Sequence, residues 1–191
     1  MNIKELLSEI RFLKGEKVLR RYFVMNSFDG ILTTIGILLG SFISNSIVPG
    51  LIIRVVLATG IAMFVSGFFG TLMTEFSERK REIKTLEKAM IKKFRNSILQ
   101  KSAIKISIIS ALVDGSSPLL ASLLSIIPFF FSFPPLTSFY ISLGISTIFL
   151  FVIGVYLSKI SEENLLIGGI KMLSIGVLVT FLILLLKPVG V

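Results

Sequence analysis

Acidic side chains inside long apolar stretches are the groups of this sequence that could do chemistry. Asp29 lies in the first such stretch, with Met25 four residues before it and Thr33 four residues after it. On a helix this spacing places a thioether, a carboxylate and a hydroxyl on one face. A carboxylate within a membrane is costly, so it usually faces a cavity, a partner or an ion. The pattern therefore favours a cation path, and a structural pairing of Asp29 with Arg54 or Lys171 is the alternative.

A second carboxyl group, that of Asp114, lies in the third apolar stretch and is followed by Gly115 and Pro118. Pro118 is expected to kink the helix and to free backbone carbonyl groups near Asp114. This pattern predicts a further polar group on the same transport path. The alternative is a structural role, in which Asp114 caps a break in the helix.

Near the end of the second apolar stretch, one threonine and three glutamates follow at helical spacing: Thr71, Glu75, Glu78 and Glu82. Steps of four, three and four residues align these side chains on one helix face. Carboxylates aligned in this way can share a divalent cation, best with ligands from a second helix or subunit. The stripe is thus a candidate metal site, unless it is an ordinary solvated face paired with neighbouring Lys and Arg residues.

The composition excludes several other chemistries. The 191 residues include no Cys and no His, which excludes disulfides, thiolate or imidazole metal sites and His-based acid–base catalysis. Hydrophobic residues make up 53% of the chain and charged residues 16%, whereas soluble domains carry roughly 25% charged residues. The sequence therefore predicts a membrane protein and not an enzyme.

Five apolar stretches are long enough to cross roughly 30 Å of hydrocarbon as helices. They cover approximately residues 23–44, 51–76, 103–131, 136–158 and 165–186. We therefore expect an all-α polytopic membrane protein with five transmembrane helices and a charged helical extension between the second and third. The expected organisation is an amphipathic N-terminal helix, spans one and two, a charged cytoplasmic helical segment, and spans three to five, over residues 1–21, 22–76, 77–102 and 103–191.

The distribution of basic residues predicts the orientation. Six Lys and Arg residues lie in residues 1–21, and ten lie between Arg79 and Lys105. Because cytoplasmic loops collect positive charge, the N-terminus and the charged segment are expected in the cytoplasm and the C-terminus outside. The net charge of +9 is thereby explained by membrane topology, so no nucleic-acid partner is expected.

Two segments resemble a known family. Phe28–Ile37 is similar to the first-span signature of the vacuolar iron transporter family, in which an Asp-Gly pair precedes small, hydroxyl and apolar residues. Ser66–Glu78 resembles that family's second-span exit, which leads into a charged cytoplasmic helix. The five spans, the orientation and the charged segment also match. The chain resembles a short, prokaryotic-type member.

The resemblance implies a homodimer in the lipid bilayer whose first and second spans form the ion path. It implies export of Fe²⁺ or Mn²⁺ from the cytoplasm in exchange for protons, with these ions as transported substrates and no permanently bound cofactor. The family's first-span carboxylate corresponds to Asp29. Its acidic metal-collecting helix corresponds by position to three residues, Glu75, Glu78 and Glu82.

The sequence also departs from the family pattern. Gly67 and Thr71 stand where family members usually have a Met and an acidic residue. Met63, one turn before Gly67, or Met25 could supply the missing thioether on the transport path.

The resemblance thus implies an exporter of divalent transition-metal ions that works by proton antiport. Its location would be the cell membrane in a prokaryote or a vacuolar-type membrane in a eukaryote. Oxygen and thioether ligands suit Fe²⁺ or Mn²⁺, and Asp29 could couple the two fluxes by binding either a proton or the metal. The alternatives are a carrier or channel for another small solute or ion, with Asp29 and Asp114 relaying protons, and a non-transporting membrane scaffold.

Overall fold

The computed structural model describes residues 15–90 and 98–186. These residues form five α-helices and one short 3₁₀ turn, which are α1 (Gly15–Ile43), α2 (Pro49–Met90), α3 (Ile98–Ser125), the turn Ile127–Phe130, α4 (Pro135–Ser161) and α5 (Leu165–Leu184). Within these two ranges there is no strand. The predicted all-α fold class is confirmed.

Each of the five helices contains a segment that is long and apolar enough to cross a membrane. The fourth and fifth helices begin and end within three residues of the predicted spans. The third helix ends earlier than predicted, at Ser125 instead of residue 131. Pro128, which cannot donate a backbone hydrogen bond, lies in the first turn of the 3₁₀ segment that follows. Pro118, by contrast, is accommodated inside α3.

Helix α2 is longer than any bilayer requires. Its 42 residues rise about 63 Å at 1.5 Å each, about twice the 30 Å of a hydrocarbon core. No Gly or Pro interrupts residues 71–90, so the second span continues into the charged segment as one helix. The predicted helical extension is confirmed as far as Met90, and residues 91–97 lie outside the described ranges.

The predicted N-terminal amphipathic helix falls mostly outside the described residues, which begin at Gly15. Residues 15–21 form the first turns of α1 and continue into the first span without a break. Charged residues therefore lead directly into the first membrane-spanning helix.

The chain divides into two compact units. The described part of the first unit comprises residues 15–26, 63–90 and 98–117, and that of the second comprises residues 27–62 and 118–186. The interior of the second unit is built from aliphatic and aromatic side chains, such as Ile31, Leu38 and Phe139, together with small serines. Both carboxyl groups that are buried in the described chain, those of Glu75 and Asp114, belong to the first unit.

Glycines allow the helices of the second unit to touch. A Cβ atom at Gly154 of α4 would lie 2.3 Å from the carbonyl oxygen of Gly168 on α5. A Cβ atom at Gly169 would lie 2.2 Å from the ring of Phe151. Small residues allow such close approach within a membrane, where association depends on van der Waals packing. These two helices therefore pack along their glycine faces.

Gly30 brings α1 against the backbone of α3. A Cβ atom at Gly30 would lie 2.4 Å from the carbonyl oxygen of Pro118. The hydroxyl of Ser122 donates to the carbonyl oxygen of Gly30 at 3.1 Å. The Asp-Gly pair of α1 therefore has two roles, since Gly30 is buried in a helix contact and Asp29 is exposed beside it.

Substitution of Gly30 by Ala is expected to lower the free energy of unfolding by about 1–3 kcal/mol, because the new methyl group would overpack a backbone contact. Gly40 provides a matched control on the same helix, since a Cβ atom there meets nothing within 4 Å. Gly40→Ala should stabilise the helix slightly, because Ala is the better helix former. Denaturant unfolding in detergent micelles measures both, and equal stability of the two variants would contradict this packing.

Candidate functional site

The two buried carboxyl groups of the first unit lie among polar side chains of three helices. Glu75 is 5% exposed and Asp114 is 7% exposed. Helix α1 contributes Tyr22 and Asn26, one turn apart, while α2 contributes Thr71 and Glu75 at the same spacing. Side chains four residues apart share a helix face, so each helix presents a short polar strip to the others.

Asp114 accepts hydrogen bonds from two different helices. The hydroxyl of Thr71 donates to its Oδ2 atom at 2.7 Å, and the side-chain amide of Asn26 donates to its Oδ1 atom. The same amide nitrogen also donates to the carbonyl oxygen of Tyr22 at 2.9 Å. Asp114 of α3 is therefore bound to α1 and α2 through groups that carry no charge.

Two glycines make room for the Asp114 carboxyl group. A Cβ atom at Gly67 would lie 3.0 Å from Asp114 Oδ2 and 3.2 Å from the Cα atom of Gly115. A Cβ atom at Gly115 would lie 2.6 Å from the carbonyl oxygen of Phe64. Helices α2 and α3 thus meet backbone to backbone, and the carboxyl group occupies space that a side chain at position 67 would fill.

Glu75 has a charged partner as well as a neutral one. The phenol of Tyr22 donates to its Oε1 atom at 3.0 Å. Its Oε2 atom lies 3.3 Å from Nε of Arg79, one turn further along α2. This nitrogen is buried and makes no hydrogen bond within the described chain, so the pair is held by charge attraction. Both oxygens of the Glu75 carboxylate are therefore already engaged.

These contacts form one connected group, which we call the polar network: Tyr22, Asn26, Thr71, Glu75, Arg79 and Asp114. It contains two acids and one base, so one negative charge is unmatched if both acids are ionised. The chemistry available to such a group is exchange of a proton or binding of a cation, because a buried carboxylate without a counter-charge is costly.

The residues of α1 that the sequence predicts along the ion path are more exposed than the two buried acids of the polar network. Asp29 is exposed, Met25 is 56% exposed, and Thr33 is half-buried. Asp29 also takes part in an interaction of its own. The carboxylate and the thioether that sequence spacing placed on one helix face are therefore both accessible at the surface of a single chain.

The acidic stripe of α2 is divided by burial. Thr71 and Glu75 are buried in the polar network, whereas Glu78 and Glu82 are exposed. Met63, two turns before Thr71 on the same helix, is half-buried. Across residues 15–90 and 98–186, no three acidic, Cys or His side chains gather in a group that could hold a metal ion. The metal-binding roles of these residues remain predictions.

Sequence reasoning missed three members of the polar network: Tyr22, Asn26 and Arg79. Asn26 was detectable, because an amide inside an apolar run needs hydrogen-bond partners. Arg79 follows Glu75 by four residues, which favours an ion pair on a helix. Tyr22 carried no comparable signal, since its role depends on the position of α2.

Glu75→Gln is expected to lower the free energy of unfolding by about 3 kcal/mol, because it leaves the largely buried guanidinium of Arg79 without its counter-charge. Glu78→Gln is the matched control. Glu78 is exposed on the same helix, so its substitution should change stability by less than about 0.5 kcal/mol. Denaturant unfolding in detergent compares the two, and a Glu75→Gln protein as stable as the control would refute the structural role of the ion pair.

Comparison with known proteins identifies the family. The sequence profile of the VIT family matches residues 83–186. An uncharacterized protein of Methanocaldococcus jannaschii is 37% identical over 174 residues, which cover 90% of this chain and 89% of the relative. No solved structure matches the chain. The chain belongs to the VIT family, a family of membrane metal-ion transporters, and the resemblance seen in its sequence is confirmed.

Proposed function

We propose that this protein exports Fe²⁺ or Mn²⁺ from the cytoplasm in exchange for protons. Family membership and five apolar helices make it a multi-pass membrane protein of a transporter family. The observation that supports the exchange of metal for protons is the exposed carboxyl group of Asp29 within the apolar α1 helix. This group already takes part in an interaction, and its exposure leaves it accessible to a cation as well.

The ligand types around Asp29 support the choice of ion. The carboxylate of Asp29 and the hydroxyl of Thr33 offer oxygen, and Met25 offers a thioether. Oxygen donors suit Mn²⁺ and Fe²⁺, and thioethers favour the softer of these ions. The chain contains no Cys or His, so the thiolates and imidazoles that favour zinc and copper would not compete.

A second copy of the chain is proposed to complete the ion path. Helix α2 exposes Ser66 and Gly70 beside the large side chains of Phe69 and Met73. A Cβ atom at Gly70 meets nothing within 4 Å, so its small size is not used for packing inside the described chain. Small residues among large apolar ones are typical of helix–helix interfaces in membranes. A homodimer would use this surface and supply further ligands.

The proposed orientation follows the basic residues. The charged end of α2 would extend into the cytoplasm, and the C-terminus would lie outside, as the excess of Lys and Arg in the cytoplasmic segments favours. In a prokaryotic cell the membrane would be the cell membrane. The exposed Glu78 and Glu82 would then meet cytoplasmic cations first.

In this mechanism the acids of α2 have different tasks. Glu78 and Glu82 are exposed and would raise the local concentration of divalent cations near the entrance. Glu75 is held by Tyr22 and Arg79, so it would bind a cation only after losing one of these partners. Asp29 would bind the cation within the membrane, and its occupation by a proton or by the metal would couple the two fluxes.

Asp29→Asn is expected to abolish metal uptake, because an amide keeps the shape of the side chain but not its charge. The measurement is Mn²⁺ uptake into proteoliposomes with an acidic lumen, followed by a trapped metal-sensitive dye. Glu163→Gln is the control, since Glu163 is an exposed carboxylate that pairs with Lys171 at 3.2 Å. Uptake by Asp29→Asn at the parental rate would remove Asp29 from the mechanism.

The double substitution Glu78→Gln and Glu82→Gln is expected to raise the half-saturating Mn²⁺ concentration by roughly threefold or more, because lost negative charge lowers the local cation concentration. The maximal rate should change little. The difference should shrink at high salt, which screens exposed charges. The double substitution Glu162→Gln and Glu163→Gln removes the same charge at another exposed site. An identical rise of the half-saturating Mn²⁺ concentration in both double variants would contradict a local role of Glu78 and Glu82, because it would show a non-specific effect of net charge.

A further inference from the structure

We propose that Asp114 is a proton-binding site, in which the hydroxyl of Thr71 switches between donor and acceptor as the proton arrives and leaves. This proposal rests on the proposed exchange of metal for protons. It assigns proton binding to a group on α3, within the first unit, in addition to Asp29, to which the proposed function assigns the cation. The hydrogen bonds of Asp114 with Thr71 and Asn26 support this proposal.

Asp114 differs from Glu75 in the charge of its partners. Asp114 is 7% exposed, and its partners in the described chain are a hydroxyl and an amide, both neutral. The other buried acid, Glu75, has Arg79 as its counter-charge. A buried carboxylate with neutral partners alone is costly, and a proton removes that cost without any further ligand.

Thr71 differs from other helical threonines in the acceptor of its hydroxyl. Six other threonines in the described helices donate their hydroxyl to the carbonyl oxygen four residues earlier, namely Thr34, Thr59, Thr74, Thr85, Thr147 and Thr180. Thr71 instead donates to Asp114 at 2.7 Å. The corresponding backbone acceptor for Thr71 is the carbonyl oxygen of Gly67. In the described chain the Thr71 hydroxyl donates to the acid and makes no hydrogen bond to that carbonyl oxygen.

Both charge states of Asp114 are satisfied by this arrangement. In the ionised state Thr71 donates to Oδ2 of Asp114. When Oδ2 gains a proton, its O–H group donates to Oγ1 of Thr71, and the Thr71 hydroxyl turns to the Gly67 carbonyl oxygen, since a hydroxyl both donates and accepts. Asn26 donates to Oδ1 in both states. One proton is taken up, the Thr71 side chain rotates towards the Gly67 carbonyl oxygen, and the hydrogen bond between Asp114 and Thr71 reverses its direction.

Within residues 15–90 and 98–186, charged and titratable groups from three helices connect to Asp114 or lie along the same helix. From α1, Tyr22 adjoins the site through Asn26, and from α2 the pair of Glu75 and Arg79 lies one and two turns beyond Thr71. On α3 itself, Lys105 precedes Asp114 by nine residues and has an interaction of its own. Glu75 and Arg79 carry opposite charges, so this pair adds no net charge beside Thr71.

The decisive variant is Asp114→Asn, which has the shape of the protonated acid and cannot ionise. Its amide can donate to Thr71 and its oxygen can accept from Asn26, so both helix contacts are retained. The quantity measured is the ratio of initial Mn²⁺ uptake rates into proteoliposomes with and without an acidic lumen. We expect this ratio to fall below the parental value, because one of the two proposed proton-binding groups is lost, and a parental ratio would overturn the proposal.

A second pair of variants covers the case in which Asp114→Asn does not fold. Thr71→Val removes the switching hydroxyl and keeps the acid, whereas Thr74→Val removes an exposed hydroxyl from the same helix. Thr71→Val is expected to lower the ratio, and Thr74→Val should retain the parental ratio. Equal ratios in the two valine variants would overturn the role of Thr71.

Infrared difference spectra separate this proposal from the proposed function. Spectra of the purified protein between alkaline and acidic pH should contain the C=O band of a buried protonated carboxylic acid. Loss of this band in Asp114→Asn supports the proton site, even if the parent protein moves no metal and the proposed function fails. An unchanged band in the variant would overturn the proposal, even if metal uptake is observed.

Discussion

A carboxyl group buried between membrane-spanning helices must receive hydrogen bonds, a counter-charge or a proton from its surroundings, and this requirement organises the first unit. Glu75 accepts a hydrogen bond from the phenol of Tyr22 and forms an ion pair with the guanidinium of Arg79. Asp114 accepts hydrogen bonds from a hydroxyl and an amide of two other helices. Because most of these donors come from a different helix than the acid, satisfying the carboxyl groups also fixes how the helices are aligned along their lengths.

The acids of this chain differ in what their surroundings allow. Asp29, Glu78 and Glu82 are exposed, so a cation or a second subunit can approach them. Glu75 is enclosed by its partners, and Asp114 is enclosed by neutral donors. Two glycines contribute to this difference. Gly67 leaves space for the buried carboxyl group of Asp114. Gly30 packs against α3, whereas the neighbouring Asp29 is exposed. The proposed tasks of cation capture and proton binding follow from this difference.

Hydropathy and charge predicted the fold class well, because the length of an apolar run is a local property. Helical spacing likewise predicted that Thr71, Glu75, Glu78 and Glu82 share one helix face, because spacing along the chain is local too. Spacing alone could not tell which of these side chains are buried. Burial of Thr71 and Glu75 depends on α1 and α3, whereas Glu78 and Glu82 lie beyond those contacts. Asp114 was recognised as a polar group in an apolar run, but its partners Asn26 and Thr71 are 88 and 43 residues away.

The proposed activity of this VIT-family protein is the exchange of a divalent metal for protons. The most direct measurement records lumenal pH with a trapped dye while Mn²⁺ is added outside proteoliposomes of the parent protein. We expect the lumen to become alkaline at a rate that rises with the Mn²⁺ concentration, and we expect no such change in protein-free vesicles. Entry of Mn²⁺ without a change in lumenal pH, or no entry of Mn²⁺ or Fe²⁺ at all, would contradict it.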